Sequence, residues 1–146
     1  MTVKKILLEP DKMLRQVSKS VEKVGDDERK LMRDMLETMY LANGIGLAAI
    51  QIGIAKRIIV MDISKEPNDK KPMCFVNPVI KEKNIEKSIY EEGCLSVPNQ
   101  FAEIERPKKC EVAYVDYNGD EKLLKAEGLL ATCIQHEMDH LEGVLF

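Results

Sequence analysis

Apolar positions along the chain recur with two periods, and these mark out the elements. Asp26-Asp27-Glu28 supplies acidic residues for a helix start, and Leu31, Met35, Leu36, Met39 and Tyr40 follow at helical spacing. Asn43-Gly44 is a stop signal for that helix. Gly44 to Gln51 is a glycine- and alanine-rich connector, and Arg57 to Asp62 reads as a buried strand. Ser64 to Pro72 is polar with two prolines and predicts an exposed loop. Met73 to Lys81 and Ile85 to Glu91 are expected to form an antiparallel pair joined by a charged turn. Glu111 to Tyr117 alternates, Asn118-Gly119 signals a hairpin, and Lys122 to Lys125 is the return strand. Leu129 to Leu141 is a second helix. The fold class is α+β: antiparallel strands packed around the C-terminal helix, with an N-terminal helix.

Composition narrows the classes. A chain of 146 residues is the usual size of one domain, so residues 1–146 are read as a single unit with one core. Hydrophobic residues make up 45% and charged residues 32%, a globular balance. The net charge of −3 gives no overall drive towards nucleic acid or anionic membrane. No apolar run approaches the roughly 18 residues of a membrane span. The apolar start stops at Glu9-Pro10, too short for a signal peptide, and reads as a first strand or ordered arm. A cytoplasmic protein is the default. The four cysteines form no C-x-x-C pair, so they are read as reduced thiols rather than a finger-type zinc site.

The second helix carries the candidate chemistry. The chain's two histidines, His136 and His140, both stand in Gln135-His136-Glu137-Met138-Asp139-His140. On a helix, spacing i, i+4 puts both imidazoles on one face, where they can share a metal ion. Glu137 is placed to move protons at such an ion without ligating it. Leu129, Cys133, His136 and His140 fall on one stripe, so the histidines continue an inward face and need polar partners there. The bland alternative is two surface histidines pairing with Glu137 and Asp139. A third protein ligand is needed, and the candidates are the cysteines and the carboxylates. Cys94 is favoured: it stands in Glu92-Gly93-Cys94-Leu95-Ser96 at a strand end, after a glycine that removes bulk. Cys74 and Cys133 fit buried structural thiols, and Cys110 reads as a bystander on a strand.

Three segments together resemble the peptide deformylase family: Gly44-Ile45-Gly46-Leu47-Ala48-Ala49-Ile50-Gln51, Glu92-Gly93-Cys94-Leu95-Ser96 and the histidine segment. They occur in the family's order, and the match covers essentially the whole chain. The resemblance implies removal of the N-formyl group from the formylmethionine of new polypeptides, with release of formate. It implies a divalent metal on Cys94, His136 and His140: Fe(II) in the cell, with Zn(II), Ni(II) or Co(II) able to substitute. Glu137 would be the acid/base, and Gln51 and the Leu95 N–H would stabilise the oxyanion. Gly44, Ile45, Gly46, Glu92, Gly93, Leu129 and Cys133 would contact the substrate. Of these, Ile45, Leu129 and Cys133 are candidates to line a methionine pocket beside the metal. A peptide could pair with the Gly44 segment as an added strand. The partners implied are an N-formylmethionyl peptide or nascent chain, with association with the ribosome compatible with such a substrate, no nucleic acid or membrane of its own, and a monomeric state. Phe101 stands where many members carry an arginine.

Three rivals share parts of the pattern. A metallopeptidase of the H-E-x-x-H type predicts a third ligand downstream, where only Glu142 is available. A dinucleotide-binding module would use Gly44-x-Gly46-x-x-Ala49 and Asp62, but needs its glycines between a strand and a helix. A deformylase-like domain with a vestigial metal site would have no need of Gln51 and Glu137.

Overall fold

The computed structural model describes residues 3–64 and 68–145, apart from the side chain of Asn99. Helix α1 spans Asp26–Leu41. Its start is fixed by the Glu28 carboxylate, which accepts from the Gly25 N–H at 3.0 Å. Its end is the expected one: Asn43 takes a left-handed φ of 58° and the chain turns away. Strands β1 (Gly46–Ala48) and β2 (Ile58–Met61) follow, separated by a short 3-10 turn over Ala49–Ile52. Then come β3 (Met73–Lys83), β4 (Lys87–Cys94), β5 (Val97–Pro107), β6 (Lys109–Val115) and β7 (Glu121–Glu127), and helix α2 over Gly128–Leu141.

The strands form two sheets. One is five-stranded in the order β1-β2-β3-β6-β7, and the other is the ribbon β4-β5. Every pairing is antiparallel. The Asn118-Gly119 turn closes β6 on β7 as the sequence predicts, with Gly119 at φ 90°. The expected pairing of Met73–Lys81 with Ile85–Glu91 does not occur. β3 pairs with β6 instead, and β4 pairs with β5. The connector after β3 is held by Asn84 N–H to Lys109 O at 2.9 Å, and Lys108 N–H to Glu86 O at 2.8 Å. The β4–β5 ribbon is therefore an excursion that leaves the main sheet at residue 84 and rejoins it at 108.

β2 shows why the core has two halves. All four of its residues are buried, and alternate residues face opposite sides of the sheet. Ile58 and Val60 pack with Met32, Met35 and Met39 of α1. Ile59 and Met61 pack with Phe75, Val112 and the α2 residues Ala131, Ile134 and Leu141. Burying each such side chain stabilises the fold by about 1.5–3 kcal/mol. The sheet is thus covered by α1 on one face and α2 on the other. Of the loop expected over Ser64 to Pro72, residues 68–72 are exposed, Ser64 is half-buried, and residues 65–67 lie outside the described set. The N-terminal segment is an ordered arm from residue 3, without strand pairing, while Met1 and Thr2 fall outside the described residues.

Candidate metal centre

α2 places its histidines on the face turned towards the end of β4. Its apolar residues Ala131 and Ile134 seat the helix on the sheet, and this turns His136 and His140 inward. Cys94 ends β4 at a register shift between Gly93 and Cys94, which swings the thiol towards the helix. The result is a buried triangle: the ligand atoms of Cys94, His136 and His140 all lie within 4.8 Å of one another. His140 Nε2 is 3.5 Å from Cys94 Sγ, and the two rings stand edge to face with centroids 5.0 Å apart. One thiolate and two imidazoles, packed this closely and largely buried beside the cavity, suit a single divalent cation.

Two of the three donors, His136 and Cys94, are held from behind. His136 Nδ1 is 2.8 Å from Glu92 Oε1, which assigns its N–H there and leaves Nε2 for the triangle. Glu92 is clamped in turn by Arg106, whose Nε donates to Oε2 at 2.7 Å and Nη2 to Oε1 at 3.0 Å. The third nitrogen, Nη1, donates to Asp139 Oδ2 at 2.8 Å, one residue before His140. On the other side, Gln51 accepts the Ala48 N–H at its Oε1 (2.9 Å). That fixes which way the amide points. Its Nε2 donates to Ser96 Oγ at 3.1 Å and lies 3.7 Å from Cys94 Sγ.

Glu137 is buried beside this triangle, with Oε1 3.7 Å from His140 Nε2. Burial is the main reason its carboxyl is pushed up to about 7, with the Glu92 charge adding to it. Burial, with the neighbouring His136, drives His140 down to about 3, a ring that stays neutral. His136 is the reverse. Burial alone would lower it, but its bonds to Cys94 and Glu92 outweigh that and raise it to about 10, and a cation held at Nε2 would take the place of that nitrogen's proton. Burial holds the Cys133 thiol well above its ordinary value and pushes Cys74 up to about 12. Neither sits in the triangle, which answers which cysteine completes it.

A cavity of about 480 Å³ opens next to the triangle. Gly44, Ile45 and Gly46 line one wall, Glu91 to Leu95 another, and Leu129, Thr132 and Cys133 of α2 the floor. The two glycines make room for side chains: a Cβ on Gly44 would lie 2.6 Å from Leu95 Cδ1, and one on Gly46 2.8 Å from Glu137 Oε2. All the residues singled out in the sequence thus gather here. Glu92 is committed to His136 and Arg106. Arg106, Asp139, Ser96 and Thr132 complete the surroundings; Ser96 and Asp139 stand in the segments quoted from the sequence without a site role, and Arg106 and Thr132 lie outside them.

A family model described as polypeptide deformylase matches residues 3–146. The chain belongs to this family. The peptide deformylase of Pelagibacter ubique is 74% identical over 146 residues, covering all of this chain and 85% of that one. That of Rhizobium meliloti is 57% identical, covering all of this chain and 84% of that one. The crystal structure of peptide deformylase from Ehrlichia chaffeensis has a TM-score of 0.95 at 47% identity, over 99% of this chain and 86% of that chain. The Thermotoga maritima deformylase structure gives 0.93 at 41% identity, over 99% and 95%. As a deformylase, the chain has an enzyme's fold and a buried group able to hold a metal.

The rivals fit poorly. Asp62 is engaged by Tyr40 Oη at 2.6 Å and by the N–H groups of Ser64 and Lys71, and of the glycines Gly44 precedes β1 and Gly46 is its first residue, so neither opens a helix. Glu142 pairs with Arg57 at 2.8 Å, away from the histidines. No helix among the described residues is long and apolar enough to cross a membrane.

Proposed function

We propose that residues 1–146 form one catalytic domain that removes the formyl group from N-formylmethionyl peptides and nascent chains, releasing formate and a free amino terminus. The observation that carries this reading is the buried Cys94–His136–His140 triangle with Glu137 beside it at the edge of the cavity. Cys94, His136 and His140 would hold one divalent cation, Fe(II) in the cell, with Zn(II), Ni(II) or Co(II) able to replace it. When bound, such a cation supplies Lewis acidity at the formyl oxygen and makes a water more acidic.

The chain's own residues do the rest. A buried carboxylate whose proton affinity is raised, as that of Glu137 is, can take a proton from the attacking water and give it to the departing amine nitrogen. Gln51 Nε2 has two N–H groups, one on Ser96 and the other directed at Cys94 Sγ at the edge of the triangle, and with the Leu95 N–H the latter would stabilise the developing oxyanion. Ile45, Leu129 and Cys133 would receive the methionine side chain. β1 is an edge strand of its sheet and β4 pairs only with β5, so the peptide backbone can lie between them as an added strand. Gly44, Gly46 and Gly93 would leave it room.

The test is formate release from formyl-Met-Ala-Ser by protein reconstituted anaerobically with Fe(II), Ni(II) or Zn(II). Release that needs metal and collapses in Cys94→Ala and Glu137→Gln supports the reading. Protein that binds one metal per chain and releases no formate with any of the three overturns it.

A further inference from the structure

Four buried side-chain polar atoms have no hydrogen-bond partner among the described residues: Ser18 Oγ, Ser88 Oγ, Thr132 Oγ1 and His140 Nδ1. A buried hydroxyl left without a partner is costly, so each one asks what satisfies it. Only Thr132 also lines the cavity beside the metal triangle. It lies on α2 one turn before His136 and one turn after Leu129, and is 4% exposed. The neighbouring Cys133 thiol already has an acceptor in the Ile45 carbonyl at 3.9 Å, but the Thr132 hydroxyl does not use even the carbonyl one turn back along its own helix. Threonine in a helix takes either of two χ1 wells, and no bond holds this one in place. The hydroxyl oxygen is itself buried, and a step about χ1 re-aims it.

We propose that Thr132 is the polar element of the methionine pocket, its hydroxyl donating to the thioether sulfur of the bound formylmethionine. This rests on the deformylase reading above. An apolar pocket of matching size would accept any unbranched side chain of similar length. A donor with no other partner makes the pocket read sulfur. Norleucine has almost the same shape and no acceptor, so in its complex the hydroxyl stays unsatisfied.

The experiment is a one-pot competition between formyl-Met-Ala-Ser and formyl-norleucyl-Ala-Ser, reading the ratio of kcat/KM. That ratio is independent of how much of each preparation carries metal. A thioether is a weak acceptor, so the native protein should favour methionine by about threefold. Thr132→Val keeps the shape and removes the donor. It should bring the ratio close to one, partly by raising kcat/KM for norleucine, a gain that a damaged fold does not produce. Thr132→Ser should keep the native preference. A ratio that Thr132→Val leaves unchanged, or that Thr132→Ser shifts as far as Thr132→Val, overturns the assignment. If neither peptide releases formate, the underlying activity fails and the pocket assignment fails with it.

Discussion

At the scale of single residues, the centre depends on groups that burial would penalise if they stood alone. Glu137 is the clearest case, and Glu137→Gln keeps its shape and removes its basicity. Formate release should fall by about 10²- to 10⁴-fold while metal content stays at the native level. Loss of metal along with activity would make Glu137 a structural group. Arg106 tests the backing of His136. Arg106→Met leaves the Glu92 carboxylate buried with only His136 beside it, a loss on the order of 3–5 kcal/mol. Metal affinity, read by chelator competition, should weaken about 10- to 100-fold. The double variant with Glu92→Gln should recover part of the stability, because it removes the stranded charge. Asp62 gives a pH test well away from the metal. Burial alone would raise its carboxyl, but bonds from Ser64, Tyr40 and Lys71 outweigh that and hold it below the ordinary 3.8. A depressed carboxylate contributes stability that is complete above its unfolded value and is lost as pH falls through the folded one. Asp62→Asn should therefore melt earlier at pH 7, by about 1–3 kcal/mol, with the gap to the native protein closing as pH drops below about 4. A gap that stays constant down to pH 2.5 would rule out the carboxylate charge as its source.

At the scale of elements, two glycines separate backbone strain from packing. Gly119, in the β6–β7 turn, has φ 90°, and the nearest atom to an added Cβ is 3.8 Å away. Gly119→Ala should cost only the left-handed penalty of about 1–2 kcal/mol. Gly143 follows α2 with φ 78°, and its added Cβ would run into the Arg15 carbonyl. Gly143→Ala should cost distinctly more in a urea melt, on the order of 3 kcal/mol or above, because backbone must move. Equal losses would show that the Arg15 contact is soft. The same elements show what a sequence makes legible. Local signals are readable: the start of α1, the Asn118-Gly119 hairpin, and α2 with two ligands and Glu137 on consecutive turns. Pairing is not. β3 and β4 alternate, follow one another and have a charged turn between them, yet only register over a distance decides that β3 takes β6. β5 left no separate mark, because its eleven residues begin directly after the Cys94 segment and carry two prolines. The Glu92–Arg106 clamp follows from that hidden pairing, since Ser88 stands opposite Arg106 and Glu92 opposite Ala102 on the inner face of the ribbon.

At the scale of the whole molecule, the metal triangle and Gln51 come from separate elements that the chain must bring into one frame. Gln51 comes from the turn after β1, Cys94 from the ribbon and the histidines from α2. The N-terminal arm ties the first two together. Leu7 N–H donates to Gln51 O at 2.7 Å, and Glu9 N–H donates to Ser96 O at 2.8 Å. Its beginning is fixed to α1 by Lys4 N–H to Thr38 Oγ1 at 2.8 Å. A short segment thus spans the backs of the two residues whose side chains meet in the Gln51–Ser96 bond at 3.1 Å. Deleting residues 1–9 would leave two carbonyls without donors and remove the strap between the segments. Ile6 is lost from the edge of the α1 core, but both sheets and both helices keep the rest of their packing, so far-ultraviolet circular dichroism should stay near native. Metal should leave faster to a chelator, and turnover should fall with it. Leu7→Pro is the sharper version, because it removes a single N–H and leaves the arm in place. It should accelerate metal loss in the same direction by a smaller factor. If both variants lower the melting temperature but lose metal at the native rate, the arm stabilises the fold without framing the site.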